Sequence, residues 1–588
     1  MGITIPIHVL KRIVWVIGFC IIFLLGPSCG NLYNNQGSSI NTVVLVSIDT
    51  WRWDANGFLG GKSPSPTPFL DGMASRGLIF ANARTPVPLT GPSHRSMLSG
   101  LWPWKEGVRH NGDIPHDSSR QTLPELFQRK GWKTAAFVSC IVVDDRFGFG
   151  AGFDKFDSAV TIGGKIDEIF MAERKADKTI LKAVNWLQSN LSESDKLFLW
   201  IHLFDPHIPY NSPIHNFQGQ NGEYLSEVAF ADRQLALLFD SLSRIQRPVE
   251  KSLWCVLSDH GEGLGDHGEK AHGLLLHSST TRIPLLMFGS GIPHAVRVEP
   301  VSTVDLLPTI LGQLGETYSE CDGIDILSPH QLPVRDIPME TLAGAREFGL
   351  PPVFGLWNGQ WLFESSLRHH LWNADIDPEE AKDLAAENPD IVLRLKRKRS
   401  AYGTPVDRSE KKLDEEMKRQ LGALGYLTGV SDSIHEDVRD FAYTGATWHY
   451  ELLKSMAEKN LDSAEQFARQ FIDRYPHSPS ILLKLGFISV QRENYLEAET
   501  RFKKVIEENP DSVAAFLNLG NVYWKMKKYN QAEQSYQHVL DINPDDYYAL
   551  YNLGVLLQSE GRNQEAEKYL SKFVSLYPES QPARKLKR

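Results

Sequence analysis

From about residue 42 to residue 330, short apolar runs alternate with stretches whose apolar residues recur at helical spacing. This alternation predicts an α/β domain built around a largely parallel sheet. Ligands of open α/β sheets bind beyond the carboxyl ends of the strands. Three of the runs deliver acids or histidines to that edge: "NTVVLVSID" with Asp49, "KLFLWIHLFDPH" with Asp205 and His207, and "SLWCVLSDHGEG" with Asp259 and His260. The pattern therefore predicts a metal site at this edge.

An aspartate that follows a strand is also a common N-cap of the next helix, and for any single one of these residues the cap is the simpler interpretation. The set favours a site, because three separate strands contribute and two histidines accompany the acids. Hard carboxylate oxygens combined with imidazole suit Ca²⁺, Mg²⁺, Mn²⁺ or Zn²⁺. We expect one divalent ion of unresolved identity, with a second ion as the alternative.

The stretch "TGPSHRSMLSG", residues 90–100, has the features of a helix N-terminus. Pro92 fits the first turn of a helix and Gly91 fits its cap. Thr90 is then expected just outside the helix, where unpaired N–H groups attract anions. The alternative interpretation of this stretch is a capped surface helix.

The C-terminal third contains a repeat with a period of 34 residues, marked by prolines at 476, 510, 544 and 578. Glycines at 486, 520 and 554 and alanines at 464, 498, 532 and 566 recur in the same phase. The pattern resembles the tetratricopeptide repeat, an α-helical solenoid, and we expect it over residues 445–588. Stacked helix pairs form a concave surface, which favours a protein or peptide partner. A spacer or a dimerisation arm is the alternative.

The N-terminus carries Lys11 and Arg12, then an apolar run from Ile13 to Leu25, and then "GPSCGN". This order predicts an export signal over residues 1–29 and a polar tether over residues 30–41. Cys29 resembles the lipid-attachment cysteine of bacterial lipoproteins. A lipoprotein, a cleaved signal and an uncleaved membrane anchor remain as alternatives, all of which place the protein in the bacterial envelope, in the periplasm or on a membrane.

Composition excludes one class of partner. The 588 residues carry a formal net charge of −10, with no extended basic region, so nucleic acid is not expected as a partner. Apart from Cys20 and Cys29, the cysteines are widely spaced and form no C-x-x-C pair, which favours buried thiols over disulfides or a zinc–cysteine site.

Residues from about 42 to 429 resemble the sulfatase-like branch of the alkaline phosphatase and sulfatase superfamily. The resemblance rests on motifs in matching order: "VVLVSIDTWRWDANGFLG", "LTGPSHRSMLSGLWPWKEGVRHNG", "HLFDPHIPY", "LSDHGEGLGDHGEKAHG" and "LWNADIDPEEAKDL". It implies a three-layer sandwich around a mixed, mostly parallel sheet, with the catalytic domain over residues 42–330. A C-terminal subdomain and charged linker would follow over residues 331–430, with a hairpin at Asn358-Gly359.

The resemblance also implies roles for single residues. The metal positions of the family fall on Asp49, Thr90, Asp259 and His260. Thr90 also occupies the nucleophile position, where a metal would stabilise its alkoxide. His207 and His272 match the positions that contact the ester group or its leaving oxygen. Arg95 and Asn111 are weaker candidates for binding the ester oxygens. A second metal would be bound by Asp205, His207 and His272. His277 is expected to be structural.

Two departures from the family pattern bear on the substrate. Hydrolytic sulfatases carry a Cys or Ser in C/S-x-P-x-R that matures to formylglycine, whereas this chain has Thr90, with His94 in place of the arginine. Threonine is not a substrate for that maturation, so no formylglycine is expected. The sequence therefore favours attack on phosphoesters, as a hydrolase or a phosphotransferase. The alternatives are a sulfatase acting on sulfated saccharides or aryl sulfates, and a catalytically silent envelope scaffold.

Overall fold

The computed structural model describes residues 40–115, 120–158, 173–328, 332–333, 335–403, 436–510, 512–576 and 586. The export signal with Cys29, most of the polar tether and residues 404–435 lie outside the described residues, so what the sequence predicts for them stays a prediction. Within the described part of the chain, no helix is long and apolar enough to cross a membrane.

The first domain is built on parallel strands. Its strands are β1 (Thr42–Ile48), β2 (Leu78–Phe80), β3 (Ala83–Arg84), β4 (Lys133–Phe137), β5 (Lys155–Asp157), β6 (Leu197–Leu203), β7 (Ser252–Ser258), β8 (Arg282–Ile283), β9 (Leu285–Gly289), β10 (Ala295–Arg297) and β11 (Val301–Ser302). Eight of them form one sheet in the order β10-β2-β9-β7-β1-β6-β4-β5. β1 pairs in parallel with β6 and β7, while β9 runs antiparallel to β2 and β7. The sheet is mixed and mostly parallel, as the sequence predicts.

Helices cover both faces of this sheet, which explains why β1 is buried throughout. Val43 and Leu45 enter one buried cluster, whereas Val44 and Val46 enter the cluster on the other face. Successive side chains of a strand point to opposite faces, so both faces are buried and the domain has three layers. The helices are α1 (Pro68–Ala74), α2 (Thr90–Ser99), α3 (Pro103–Glu106), α4 (Leu123–Arg129), α5 (Ala176–Asn190), α6 (Gly222–Arg244), α7 (Ser278–Thr281) and α8 (Leu306–Gln313).

A smaller antiparallel subdomain follows. Its sheet has the order β12 (Ile337–Thr341), β13 (Val353–Trp357), β14 (Trp361–Ser365) and β15 (His369–Asn373), and its helices are α9 (Ala343–Phe348) and α10 (Pro389–Ala401). The predicted hairpin is confirmed, because β13 pairs antiparallel with β14. Gly359 in the connecting turn has a φ of +94°, a conformation that glycine adopts without strain.

The C-terminal region is a series of antiparallel helix pairs. After α11 (Val438–Tyr443), the pairs are α12 (Gly445–Ala457) with α13 (Leu461–Arg474), α14 (Pro479–Gln491) with α15 (Tyr495–Glu508), α16 (Val513–Lys525) with α17 (Tyr529–Ile542), and α18 (Tyr547–Ser559) with α19 (Asn563–Leu576). A Cβ atom on Gly520 would lie 2.5 Å from the ring of Tyr536. The periodic glycine therefore allows the two helices of a pair to approach closely, as the period predicts.

Candidate active site

Two neighbouring strands bring the candidate metal ligands together. Asp49 follows β1 and Asp259 with His260 follows β7, and these strands pair in parallel. Nε2 of His260 lies 3.3 Å from Oδ2 of Asp259 and 3.9 Å from Oδ1 of Asp49. One ligand atom from each residue lies within 4.8 Å of the others, and all three side chains are fully buried.

Each of these three residues has one polar atom held by the protein and another left for a ligand. Nδ1 of His260 donates to the carbonyl of Gly261 at 3.0 Å, so Nε2 keeps its lone pair. The backbone N–H of His260 donates to Oδ1 of Asp259 at 2.9 Å. Oδ2 of Asp259 and Oδ1 of Asp49 are buried and accept no hydrogen bond from any described residue. This donor set fits a divalent cation.

The electrostatics of this cluster also favour a bound cation. Burial raises the pKa of Asp49 to about 7, although an electrostatic interaction with His260 opposes the shift. Burial also raises the pKa of Asp259, and the charge of Asp49 raises it further. Two carboxylates this close and this deeply buried are costly unless a cation accompanies them.

His202 is a site residue that the sequence did not single out. The backbone N–H of Ser139 donates to Nδ1 of His202 at 3.2 Å, which leaves the proton of the neutral ring on Nε2. Nε2 lies 3.4 Å from Oδ2 of Asp49. His202 therefore orients Asp49 from behind and leaves Oδ1 for the metal. His202 also forms, with Asp49 and Cys140, a second group within ligand distance.

Thr90 lies at the start of α2, beside the metal ligands. It is the first residue of the helix rather than the residue outside it, because the extended backbone of Leu89 supplies the N-cap position. Oγ1 of Thr90 lies 3.3 Å from Nε2 of His260, and Thr90 is fully buried. The expected juxtaposition of hydroxyl, helix N-terminus and metal ligands is present.

Asn111 reaches this helix N-terminus from a separate loop. Its Oδ1 accepts the backbone N–H of Gly91 at 2.8 Å. Its Nδ2 is buried and has no hydrogen-bond partner within the described ranges. Asn111 therefore offers a free donor one residue from Thr90, as a residue that grips an ester oxygen would.

The structure pairs Arg95 with other protein groups. Arg95 is buried, forms an ion pair with Glu106 and donates to the carbonyl of Gly148 at 3.2 Å. His94, in the position of the family arginine, binds the carbonyl of Thr90 and the hydroxyl of Ser47, each at 2.8 Å. Burial lowers the pKa of His94 to about 3, so the ring stays neutral. The oxygen-binding role of Arg95 stays a prediction.

His207 and His272 lie together on the other side of His260. The ring centroids of His260 and His272 are 4.3 Å apart, and those of His207 and His272 are 5.3 Å apart. Nδ1 of His272 lies 3.0 Å from Oε1 of Glu262, a fully buried carboxylate. Glu262 fixes the orientation of His272. The sequence could have indicated Glu262 as a site residue, because it stands two residues after His260 in the same motif.

Asp205 does not join these histidines. Both of its carboxylate oxygens accept the backbone N–H of Ala176 at 3.0 Å, so Asp205 caps the start of α5. Asp205 therefore caps a helix that precedes it in the chain and not the next helix, which the sequence suggested. The second-metal set of Asp205, His207 and His272 is not among the metal-binding groups found in the described residues. His277 is buried, with Glu380 at 2.7 Å and Arg439 at 2.6 Å, and with His267 and Glu380 it forms a third group within ligand distance. Its structural role stays a prediction.

Comparisons with known proteins find similar families for both parts of the chain. Residues 41–316 match the family described as Sulfatase, and residues 513–546 and 535–568 match tetratricopeptide repeat families. A sulfatase of Formosa agariphila is 26% identical over 352 residues, covering 46% of this chain and 68% of the relative. A choline-sulfatase of Rhizobium meliloti is 24% identical over 271 residues, covering 43% of this chain and half of the relative.

Solved structures share the fold over 63% of this chain. A protein named Ps i-CgsB, crystallised with k-i-k-neocarrahexaose, superimposes with a TM-score of 0.52 at 19% identity, covering 63% of this chain and 94% of that chain. The phosphonate monoester hydrolase SpPMH from Silicibacter pomeroyi superimposes with a TM-score of 0.50 at 16% identity, covering 63% of this chain and 97% of that chain.

Proposed function

Because residues 41–316 of this chain form a sulfatase-family hydrolase domain joined to tetratricopeptide repeats, we propose that the protein is a metal-dependent ester hydrolase with Thr90 as its nucleophile. The observation that carries this proposal is the distance of 3.3 Å between Oγ1 of Thr90 and Nε2 of His260, beside two carboxylate oxygens without a hydrogen-bond donor among the described residues. A silent scaffold would have no use for this arrangement.

The residues divide the chemistry among themselves. Asp49, Asp259 and His260 would hold a divalent ion, whose positive charge would favour ionisation of the Thr90 hydroxyl. Oγ1 of Thr90 attacks the central sulfur or phosphorus, and the bond from that atom to the leaving oxygen breaks. Burial lowers the pKa values of His272 and His207, so both rings are neutral before the step. The proton lost from Oγ1 of Thr90 passes through one of these rings to the leaving oxygen. Water then attacks the covalent ester and restores the Thr90 hydroxyl, while Nδ2 of Asn111 holds a non-bridging oxygen.

Sulfate esters are the first candidate substrates. The sequence-matched relatives are sulfatases, one of them a choline-sulfatase, and this support is better than any for the phosphoesters that Thr90 predicts. The Thr90 oxygen can accept a sulfuryl group by the same kind of displacement as a phosphoryl group. The alternative that the sequence left open, a sulfuric ester hydrolase, thereby becomes the leading one.

Phosphate esters are the second candidate, and one observation favours them. Formylglycine is an aldehyde, whereas oxidation of the Thr90 side chain would give a ketone because its Cβ carries a methyl group. The hydroxyl itself must then be the nucleophile, as in phosphoester chemistry. A phosphonate monoester hydrolase is also among the proteins that share the fold.

The proposal also covers the cellular location of the protein and its binding partner. Export through residues 1–29, lipid attachment at Cys29 and membrane association would place the enzyme among envelope or extracellular esters. The tetratricopeptide repeats support a protein partner. Both features are consistent with a hydrolase that works outside the cytoplasm.

Intact-mass spectrometry tests the proposal. The metal-loaded protein is mixed briefly with 4-nitrophenyl sulfate and, separately, with bis(4-nitrophenyl) phosphate, and the adduct is mapped by peptide analysis. We expect a sulfuryl or phosphoryl adduct on Thr90, absent from Thr90→Ala and retained in Thr500→Ala, an exposed threonine of the repeats. Turnover that Thr90→Ala leaves unchanged would contradict the assignment.

A further inference from the structure

The chain between His260 and His272 folds back on itself, and we call it the 261–272 hairpin. Its two arms are joined by backbone hydrogen bonds from Gly263 to Ala271 at 2.6 Å, from Leu264 to Lys270 at 3.1 Å and from Gly265 to Glu269 at 2.9 Å. The hairpin begins beside a metal ligand and ends at the candidate proton donor. Whatever contacts this hairpin therefore also borders the leaving-group side of the active site.

The tip of the hairpin contacts the helix that precedes the repeats. Gly268 has a φ of +84°, and a Cβ atom there would lie 2.7 Å from the ring of Tyr443 on α11. Arg439 on the same helix reaches Nε2 of His277 at 2.6 Å and Oε1 of Glu364 at 2.8 Å. These contacts fix α11 against the catalytic domain.

The returning arm of the hairpin contacts the first repeat helix. Lys270 forms an ion pair with Glu451 on α12, and its Nζ lies 5.5 Å from the ring centroid of Tyr450. From the catalytic domain, Tyr210 reaches Oε2 of Glu262 at 3.5 Å. Lys270 stands two residues before His272, so the ring of Tyr450 lies beside the arm of the hairpin that ends at His272.

Aromatic contacts hold the first repeat in place. The ring of Phe348 on α9 lies 5.2 Å from the ring of His449 and 6.1 Å from the ring of Phe471. Phe348 and Phe471 share one apolar cluster with residues of the C-terminal subdomain. Because the contact is packed and apolar, the first repeat has a fixed position beside the hairpin.

We propose that α12 forms one wall of the active-site entrance, and that Tyr450 and Glu451 are specificity-determining residues that limit the size of the leaving group. The inference rests on the proposed function. His207, Tyr210 and Tyr450 are partly exposed, whereas the side chain of His272 is only 6% exposed and Thr90 is fully buried. An entrance bounded by two tyrosines and two histidines fits an ester of a compact alcohol, such as one sugar or one aryl ring, better than an ester inside a long polymer.

The test compares a small and a bulky leaving group on the full chain. The kcat/KM values of the wild type are measured with a 4-nitrophenyl ester and with a fluorescein monoester of the same acid, sulfuric or phosphoric. We expect Tyr450→Ala to raise the ratio of bulky to small ester at least about ten-fold, by lowering KM for the bulky ester. Tyr529→Ala, an exposed tyrosine of the third helix pair, should leave the ratio unchanged.

A charge exchange provides the second measurement. Lys270→Glu and Glu451→Lys should each raise the KM of the small ester, and the double variant should restore it if the pair positions the wall. A wild type that hydrolyses neither ester overturns the proposed function and this inference with it. A wild type that hydrolyses the small ester, while Tyr450→Ala shifts the ratio less than about two-fold, overturns this inference alone.

Discussion

Oγ1 of Thr90 and Nε2 of His260 lie 3.3 Å apart although 170 positions of sequence separate the two residues. The helix N-terminus brings the hydroxyl to the edge of the sheet, and β7 brings the imidazole. The hydroxyl of Thr90 would not be reactive alone, because a threonine hydroxyl is protonated at neutral pH and needs a positive charge nearby. The predictions below follow from this relationship and from the contacts around it.

Metal binding should depend on the unpaired carboxylate oxygens. Asp259→Asn removes one negative ligand, so we expect a loss of divalent-metal affinity of at least about 100-fold. Elemental analysis of the dialysed protein measures the metal content, with Ca²⁺, Mg²⁺, Mn²⁺ and Zn²⁺ offered separately. Asp240→Asn, at an exposed position of α6, is the control. Equal metal contents in wild type and Asp259→Asn would contradict the assignment and revive the scaffold interpretation.

The side-chain amide of Asn111 should stabilise the transition state. Asn111→Ala removes a donor to a developing oxyanion, so we expect kcat to fall about 100-fold while the metal content stays unchanged. Asn190→Ala, at an exposed asparagine of α5, should keep full activity. Steady-state kinetics and elemental analysis on the same samples make the measurement. A fall in metal content that parallels the fall in kcat would show a structural role instead.

Acid should weaken the contacts of Glu380. Burial alone would raise its pKa, but the hydrogen bond and charge of His277, with Arg84 and Ser278, lower it to about 2. A carboxyl group whose pKa is lowered on folding stabilises the protein above its unfolded pKa, and this contribution is lost as the pH falls from about 4.5 to 2. Glu380→Gln should therefore cost about 3 kcal/mol at pH 7 and less at pH 3.

Chemical denaturation at the two pH values measures this difference in the free energy of unfolding. Glu379→Gln changes the exposed neighbour and should cost little at either pH. If the cost of Glu380→Gln is the same at pH 3 and pH 7, the ionised carboxylate is not the source of the stability.

The stability of the repeats should fall when side-chain volume is added at their periodic glycines. A Cβ atom at Gly520 would lie 2.5 Å from the ring of Tyr536, so Gly520→Ala should destabilise the repeats by about 1–3 kcal/mol. Gly72→Ala, at a helical glycine with open space around it, should be neutral or slightly stabilising. Thermal unfolding followed by circular dichroism distinguishes the two. A Gly520→Ala variant as stable as the wild type would contradict the close packing of α16 on α17.

Much of the fold follows from local pattern. Apolar runs bounded by turn residues predict the strands, and the position of Asp49 and Asp259 directly after two of them predicts that they meet at one sheet edge. The 34-residue period predicts the helix pairs, because each repeat must present the same small residues to its neighbour. Such features repeat along the chain, so they can be read without knowing which elements pair.

The contacts that complete the site carry no such pattern. The sequence could not assign Asp205 to the cap of α5, Arg95 to Glu106, or His202 to the back of Asp49, since each depends on which element packs beside which. The same holds for Tyr450, which lies in a repeat whose period says nothing about the catalytic domain. The sequence by itself determined the elements, their chemistry and the edge where that chemistry collects. Only the tertiary structure decided which polar atoms are satisfied and which remain for a ligand, because hydrogen-bond partners distant in sequence are selected by packing.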